Sequence, residues 1–452
     1  MAERLSARAA VARVTDEFAE LPVPSTPFPA EGPIGWEGYA ASRERAVRRT
    51  GETESVVCGV GLFGTVEAVV IAFEFGFLGG SLGERTGDRL EAAYAHARER
   101  RLPVVSLIAT GGSRMQEGMR ALVQLQRVAR QSALTRAAGL PQLAVVRDPT
   151  TGGGWATLGA GADVVLALPG AQVGFAGSRV RPRDADPLAY TAESQLASGA
   201  VDAVVAPSEL PGTLTRWLRL LTGEGQRTRT PVPPPHALGE GELPATGWDA
   251  VLRARSPRRP RAEAYLDAYF DCREALGGDR CGGVDPGMHC GFGLREGQVV
   301  AYAAQGGTAT TPAGYRTAAR LVRLADRLGA PVLTLVDTPG AANDAAAEHA
   351  GAGAAIAEVF AAVAEAGVPV TTLLIGEGGS GGALALAAPH NTWATPDSYF
   401  SVIAPELAAA ILKRPPEAAH ATADQLHLRP QDLVELGVVR GIVPVSNACD
   451  EV

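Results

Sequence analysis

An internal repeat constrains the fold of this chain more than any other sequence feature. Two apolar runs, each introduced by a proline and followed by glycines, occur in the first half of the chain and recur in the second half. The same interval of 228 residues separates Pro103 from Pro331, Pro141 from Pro369, and Gly154 from Gly382. A fixed offset with matching prolines and glycines predicts two copies of one fold. The length of 452 residues also favours two domains over one.

Each half predicts the order strand, glycine turn, helix, strand, glycine turn, helix. The runs of Val, Leu and Ile, bounded by Pro and Gly, are typical of strands that are buried on both faces. Helical spacing of apolar residues predicts helices over residues 116–138 and 352–366. Strands that alternate with helices predict an α/β fold with a largely parallel sheet.

The segments outside the repeats predict the domain boundaries. Residues 1–35 are expected to form an irregular arm with one helix between residues 7 and 21. Residues 224–261 are rich in Pro, Gly and Arg and lack apolar periodicity, which predicts a linker. The two domains are therefore expected over residues 36–223 and 262–452.

Composition excludes several classes of function. The net charge is −8 without a basic cluster, which disfavours nucleic acid as a partner. No run of 18 apolar residues and no secretory signal is present, so we expect a cytoplasmic protein with no membrane contact. The five cysteines include no CxxC pair, and the cluster of Cys281, His289 and Cys290 matches no common zinc pattern, so no metal site is predicted.

The glycine turns predict an anion site. A strand that ends in glycines and leads into a helix exposes backbone N–H groups, which bind phosphates or oxyanions. A phosphate loop is disfavoured because no Lys follows either turn. Gly378-Gly379-Ser380-Gly381-Gly382 has the spacing of a serine nucleophile elbow. Gly152 stands at the position of Ser380 in the first half, so we favour backbone chemistry over a serine nucleophile.

Longer motifs resemble a known family. In the first half they are GGSLGE (79–84), GGSRMQE (111–117), DPTTGG (148–153) and GFAGSRV (174–180). In the second half they are PAGYR (312–316), DTPGA (337–341), IGEGGSGGAL (375–384) and YFSVIAPE (399–406). These strings resemble the β and α subunits, in that order, of the carboxyltransferase component of acetyl-CoA carboxylase. The resemblance implies two tandem crotonase-like (ClpP/crotonase) domains with ββα repeats.

The resemblance also implies an activity. Carboxybiotin, held on a separate biotin carboxyl carrier protein and formed by a biotin carboxylase, would give its CO2 to the α-carbon of an acyl-CoA, as in the conversion of acetyl-CoA to malonyl-CoA. Two oxyanion holes would stabilise the two enolates. The residues implied for the thioester oxygen are Gly111, Gly112, Gly153 and Gly154, and those for the ureido oxygen of biotin are Gly340, Gly381, Gly382 and Ala383. Further contacts with substrate or cofactor are implied at Arg114, Arg179, Gly378 and Gly379.

Alternatives stay open at several of these positions. Helix capping or core ion pairs would explain Arg114, Glu117 and Arg179 equally well. The family resemblance implies a homodimer or a larger homo-oligomer, and the usual four-cysteine zinc ribbon and the basic loop before PAGYR are missing. A biotin-independent decarboxylase, or a carboxyl- or acyltransferase acting on a CoA-bound or carrier-bound thioester, is therefore the second hypothesis.

Overall fold

The chain forms two compact units, residues 1–222 and 223–452. The computed structural model describes residues 4–25, 27–223 and 230–446. No helix in those ranges is both long enough and apolar enough to cross a lipid bilayer.

Unit 1 is built on one mixed sheet. Its strands are β1 (Glu17–Glu20), β2 (Val56–Phe63), β3 (Val66–Phe73), β4 (Val104–Thr110), β5 (Gln142–Thr151), β6 (Val164–Ala167), β7 (Val173–Gly174) and β8 (Ala203–Val204). Its helices are α1 (Ala7–Val14), α2 (Tyr39–Thr50), α3 (Glu84–Arg100), α4 (Gly118–Leu122), α5 (Gln124–Ala137), α6 (Gly152–Gly154), α7 (Ala192–Ala197) and α8 (Leu210–Thr222). The strand order is β1-β2-β3-β4-β5-β6-β8, and β7 pairs with β5. The pairs β1–β2 and β2–β3 are antiparallel, and the others are parallel.

Unit 2 repeats this plan. Its strands are β9 (Cys272–Ala275), β10 (Met288–Arg295), β11 (Gln298–Gln305), β12 (Val332–Thr338), β13 (Val370–Gly379), β14 (Thr392–Ala394) and β15 (Tyr399–Ser401). Its helices are α9 (Gly247–Ala254), α10 (Ala262–Tyr269), α11 (Pro312–Leu328), α12 (Ala345–His349), α13 (Ala352–Glu365), α14 (Ser380–Leu384), α15 (Pro405–Ile411), α16 (Ala419–Gln425) and α17 (Pro430–Glu435). The strand order is β14-β13-β12-β11-β10-β9, and β15 pairs with β13.

The predicted repeat is confirmed element by element. The offset of 228 residues relates β4 to β12, β5 to β13, α3 to α11 and α5 to α13 at both of their ends. The hairpins β2–β3 and β10–β11 are instead related by 232 residues. The loop between hairpin and helix, residues 74–83 in unit 1 and 306–311 in unit 2, is four residues shorter in unit 2 and accounts for this difference. Both units therefore contain the predicted ββα order and an α/β core.

Two of the predicted helices differ from the structure in instructive ways. The helix expected over 116–138 is interrupted, because Gly118 has a φ of +54° and the chain restarts as α4 and then α5. The helix expected between residues 7 and 21 ends at Val14, and the following residues pair as β1 with β2. The predicted arm is thus partly an ordered layer of unit 1.

The prediction of a linker over 224–261 is wrong for its described part, residues 230–261. Ala237 forms a parallel bridge with Val445, and α9 packs against α16. Ala250 and Val251 are fully buried in that contact, which is the reason that this segment belongs to unit 2. The apolar residues of α9 occupy only one short helix. Because Pro, Gly and Arg surround this helix, its apolar spacing is not recognisable in the sequence. Residues 224–229 of the predicted linker lie outside the described residues.

Candidate active site

The first glycine turn lies where β4 and β5 end side by side. The register between the two strands shifts after Ile108, so that Thr110 pairs with Thr150. Leu82 forms a parallel bridge with Ser113, which places the loop after β3 against the same turn. The N–H of Gly112 donates to Oγ1 of Thr110 at 3.0 Å, and this bond closes the turn.

Close packing of backbone on backbone explains the glycines of this turn. A Cβ added to Gly152 would lie 3.0 Å from Cα of Gly112, and Gly152 has a φ of +67°. A Cβ on Gly154 would lie 2.4 Å from Cγ2 of Thr110, and one on Gly153 would lie 2.3 Å from a methyl group of Leu125. No side chain fits at these positions without displacing a neighbour.

The backbone donors of the first turn are not equivalent. The N–H of Gly111 donates to the carbonyl of Gly79 at 2.9 Å, so it is committed within the fold. The N–H groups of Gly153 and Gly154 belong to the first turn of the helical segment that begins at Gly152, where the geometry provides no intrahelical acceptor. The structure thus brings the four predicted glycines together and favours Gly153 and Gly154 as the donors to a ligand.

The second turn repeats these contacts at the same offset. The register between β12 and β13 shifts after Val336, and Thr338 pairs with Gly378. Thr310 bridges Ala341 as Leu82 bridges Ser113. The N–H of Gly340 donates to Oγ1 of Thr338 at 3.1 Å.

The predicted residues of the second turn have different roles. A Cβ on Gly382 would lie 2.4 Å from the backbone nitrogen of Ala341, whereas one on Gly381 would meet nothing within 4 Å. The N–H groups of Gly381 and Gly382 lie in the first turn of α14, and the N–H of Ala383 stands where the first intrahelical bond forms. Ala383 is also fully buried, so we favour Gly381 and Gly382 as the donors.

Gly378 and Gly379, predicted as cofactor contacts, are packing positions in this structure. Both lie in β13 and pair with β15. A Cβ on Gly379 would lie 2.0 Å from the carbonyl oxygen of Pro339, and one on Gly378 would lie 2.9 Å from the ring of Phe400. Their lack of a side chain is explained by neighbours within the unit.

Tyr315 and Gln305 stabilise the second turn through hydrogen bonds to its backbone. Sequence reasoning missed both roles. The phenol of Tyr315 donates to the carbonyl of Gly382 at 3.0 Å, and Nε2 of Gln305 donates to the same oxygen at 3.3 Å. Burial raises the pKa of Tyr315 and keeps its hydroxyl protonated, as a donor must be. The PAGYR motif includes Tyr315 and could have pointed to this role.

The position of Arg114 contradicts the prediction of a substrate contact, because its side chain is fully buried. It donates to Oε2 of Glu54 at 3.0 Å and to Oε1 of Glu117 at 3.2 Å. It also donates to the carbonyl of Ser81 at 2.7 Å, and Glu117 accepts from the hydroxyl of Tyr39 at 2.6 Å. This is the core ion pair that the sequence left open as the alternative.

The charges of this cluster support one another. Burial alone lowers the pKa of Arg114, but the carboxylate of Glu54 and its hydrogen bonds outweigh that effect and hold the pKa above its ordinary value. Burial likewise raises the pKa of Glu54, and Arg114 overcomes the rise and holds it below its ordinary value. Both groups are therefore charged at neutral pH, and they fix the loop that carries Leu82 beside the first turn.

A second buried ion pair supports the turn of unit 2. Oδ1 of Asp337 accepts from Arg259 at 2.5 Å, and its Oδ2 accepts from Arg261 at 3.0 Å. Oδ1 also accepts from the backbone N–H of Glu377 at 3.1 Å. Arg259 lies in the segment that was predicted to be a linker, which is why sequence reasoning missed it.

The remaining candidates take no part in the contacts described above. Arg179 is exposed in the segment after β7, and its role as a substrate contact stays a prediction. Cys290 is buried, Cys281 is exposed, and Nδ1 of His289 lies 3.1 Å from Glu263. Within residues 4–25, 27–223 and 230–446, no three His, Cys, Asp or Glu side chains are placed to hold a metal.

Comparison with solved structures supports the fold. The crystal structure of transcarboxylase 12S, described as a hexamer assembly with hydrolysed methylmalonyl-coenzyme A bound, matches with a TM-score of 0.79 at 21% identity, over 98% of this chain and 87% of that chain. A single-chain, multi-domain long-chain acyl-CoA carboxylase matches with a TM-score of 0.75 at 21% identity, over 98% of this chain and 45% of that chain. The predicted fold of two tandem crotonase-like domains is therefore confirmed.

Sequence comparison then gives the family. Residues 34–206 match the carboxyl transferase domain, and residues 244–450 match the acetyl co-enzyme A carboxylase carboxyltransferase-like family. The acetyl-coenzyme A carboxylase carboxyl transferase subunits beta/alpha of Salinispora arenicola are 39% identical over 98% of this chain and 82% of their own length. Those of Saccharopolyspora erythraea are 39% identical over 90% of this chain and 74% of their own length. The chain belongs to this carboxyltransferase family, and the predicted enzyme class is confirmed.

Proposed function

We propose that this carboxyltransferase moves a carboxyl group from carboxybiotin on a separate carrier protein to the α-carbon of an acyl-CoA, as in the conversion of acetyl-CoA to malonyl-CoA. The observation that carries the proposal is the pair of glycine turns, which present backbone N–H donors at equivalent positions in the two units. The names of the relatives support the same substrate class.

The first turn would hold the thioester oxygen of the acyl-CoA. The N–H groups of Gly153 and Gly154 are the donors, and the bond from Gly112 to Thr110 keeps the turn closed around them. Preorganised donors aimed at an oxygen that gains negative charge lower a barrier by about 3–4 kcal/mol each. This turn therefore stabilises the enolate that forms when the α-proton leaves.

The second turn fits the ureido oxygen of biotin, which is a hydrogen-bond acceptor. The N–H groups of Gly381 and Gly382 lie in the first turn of α14 and are the donors. Carboxybiotin, when bound, supplies the carboxyl group and a nitrogen that can take the α-proton. Tyr315 and Gln305 fix the carbonyl of Gly382, in the peptide that directly follows these donors, and no side-chain base is required from this chain.

Exposed apolar side chains support assembly into a homodimer or a larger homo-oligomer. In unit 1, Met115, Phe175 and Val180 are each at least 70% exposed, and all three belong to the motifs around the first turn. In unit 2, Val402 and Ile411 are 72% and 69% exposed and follow the second turn in the chain. Exposed apolar surface is one of the features of protein interfaces. We propose that these surfaces pair between copies, and that the biotin carboxyl carrier protein and biotin carboxylase are the other partners.

Replacement of Gly112 or Gly382 by Val tests the proposal. With free biotin as acceptor and malonyl-CoA as donor, the wild-type protein is expected to transfer the carboxyl group, and both variants are expected to lose at least a hundredfold in rate while keeping their circular dichroism spectra. Unchanged rates in both variants would overturn the assignment of the turns. Decomposition of malonyl-CoA without biotin, at the rate measured with biotin, would instead favour a biotin-independent decarboxylase.

A further inference from the structure

A cavity of about 390 Å³ lies in unit 1, on the face of the sheet that α1 covers. Leu107 of β4 and Val145 of β5 point into it, whereas their neighbours Ile108 and Val146 pack in the core beside α3. Its volume falls in the range of about 300–1,000 Å³ that is typical of small-molecule sites. None of the glycines of the first turn lines it.

The walls of this cavity are apolar and its charged groups are mostly arginines. The apolar lining includes Ala10, Val14, Leu107, Val145, Leu168 and Leu210. Arg147 is buried at the wall, and Arg4 and Arg13 belong to the same lining. This combination resembles neither a core void, which would be uncharged, nor a polar surface cleft.

Arg147 is a buried cation without an acidic partner in the described part of the chain. Its Nη1 donates to the carbonyl of Phe73 at 3.1 Å, and its Nη2 donates to the carbonyl of Leu5. Burial lowers its pKa to about 10, which Glu74 only partly offsets. A charge taken out of water without a counterion is costly, so an anion that enters the cavity would recover free energy.

Glu74, which raises the pKa of Arg147, and Asp148, the next residue in the chain, already accept hydrogen bonds from other groups. Glu74 accepts from the N–H groups of Ala7 and Gly76, each at 2.8 Å. Asp148, which also lines the cavity, accepts from Arg4 at 3.0 Å and from the N–H of Gln172 at 3.1 Å. The positive charge of Arg147 is therefore available to a ligand.

We propose that this cavity binds a small amphipathic anion, namely an aliphatic chain that ends in a carboxylate or a phosphate monoester. The anionic head lies at Arg147, and the chain lies among Val14, Leu107 and Leu168. The site is lined by unit 1 alone and is distinct from the turn that would hold the thioester. The proposal does not depend on the proposed function.

Calorimetric titration of the full chain with matched ten-carbon ligands tests the chemistry. Decanoate and decyl phosphate are the anionic probes, and 1-decanol and decyltrimethylammonium are the controls. We expect at least one anion to bind with a stoichiometry of one per chain and at least tenfold more tightly than either control. The anion that binds more tightly identifies the head group. Equal affinity for decanol, or no saturable binding of either anion, would overturn the proposal.

Two variants locate the site. Arg147→Met is expected to weaken binding of the preferred anion at least tenfold, while Arg48→Met, which removes an exposed arginine of α2, leaves it unchanged. Because Arg147 also ties Leu5 to the sheet, Ala10→Leu provides an independent test, since it fills the cavity without removing a charge. Ala10→Leu is expected to weaken binding at least tenfold and to raise the melting temperature. Wild-type affinity in Ala10→Leu would overturn the proposal.

Discussion

The two glycine turns share one backbone but rest on different side chains. In both units a threonine hydroxyl at the end of a strand accepts from the glycine two residues later, and the next strand ends in a short helix packed against that glycine. The first turn is supported by Arg114 within a carboxylate and phenol cluster, and the second by Asp337 between two arginines. The backbone geometry is therefore what the two turns share, and the central charges that support them have opposite sign.

The surroundings of the helix starts differ as well. Gly153 is packed against Leu125, whereas its counterpart Gly381 faces open space. Gly152 has its counterpart in Ser380, which adopts the left-handed region with a φ of +58°. A turn of this kind thus tolerates a side chain at one position in unit 2 where the close approach of Gly112 forbids it in unit 1.

The largest difference between the units is expected in the loss of stability when the central charge of each ion-pair cluster is removed. Arg114→Met leaves Glu54 and Glu117 buried without their ion-pair partner, and we expect it to lower the free energy of unfolding by about 3–5 kcal/mol. Asp337→Asn keeps hydrogen-bonding atoms beside Arg259, and Arg261 is partly exposed to water, so we expect a loss of about 1–3 kcal/mol. Urea titration followed by circular dichroism measures both.

Arg120→Met is the control for this pair, because Arg120 forms an exposed ion pair with Glu84. Its loss should cost less than about 1 kcal/mol. An equal loss from Arg114→Met and Arg120→Met would show that the buried cluster does not stabilise unit 1.

The second difference lies within one turn. Gly382→Ala places a Cβ 2.4 Å from the nitrogen of Ala341 and must displace backbone, so we expect the rate of carboxyl transfer to fall about 10²–10³-fold. Gly381→Ala adds the same methyl group in open space and should change the rate less than about fivefold. Initial rates of transfer between malonyl-CoA and biotin measure both variants. A greater loss from Gly381→Ala than from Gly382→Ala would show that a ligand, and not the fold, fills the space beside Gly381.

The sequence predicted the parts of this molecule that local patterns determine. The apolar runs gave the positions of β4, β5, β12 and β13, and the fixed offset predicted that the two turns are equivalent. Side chains that reach a turn from distant parts of the chain left no such pattern. Glu54 lies 60 residues before Arg114, and Arg259 lies 78 residues before Asp337. Their pairing depends on the packed tertiary structure, so spacing in the sequence does not reveal it.

Loss of the hydrogen bond from Tyr315 to the second turn is expected to lower the rate of carboxyl transfer moderately. Tyr315→Phe removes the hydrogen bond to the carbonyl of Gly382 and leaves the bond from Gln305 in place. We expect a loss of about 1 kcal/mol in transition-state stabilisation, which lowers the rate about fivefold with little change in KM for malonyl-CoA. The counterpart of Tyr315 in unit 1 is Gly87, which has no side chain to form such a bond. An unchanged rate in Tyr315→Phe would assign the phenol to packing alone.

The last comparison exchanges the residues that begin the two helices, and Ser380→Gly is expected to have the smallest effect of all these variants. Ser380→Gly relieves a left-handed backbone at the cost of a more flexible unfolded chain, so the net change in the free energy of unfolding should be within about 1 kcal/mol. Gly152→Ser imposes the left-handed strain and also places a Cβ 3.0 Å from Gly112, so it should destabilise unit 1 by about 1–3 kcal/mol. Urea titration measures the two changes.

The same exchange decides between the two chemistries that the sequence left open for GGSGG. If the backbone performs the reaction, Ser380→Gly keeps the rate of carboxyl transfer within about twofold, because Gly381 and Gly382 and the bond from Gly340 to Thr338 are unchanged. If the serine hydroxyl were a nucleophile, the same variant would lose at least about 10³-fold in rate. Ser380→Ala separates the hydroxyl from the strain, since it removes the oxygen and retains the Cβ in the left-handed region. Equal rates for Ser380→Gly, Ser380→Ala and the wild type would establish that the second turn, like the first, acts through its backbone.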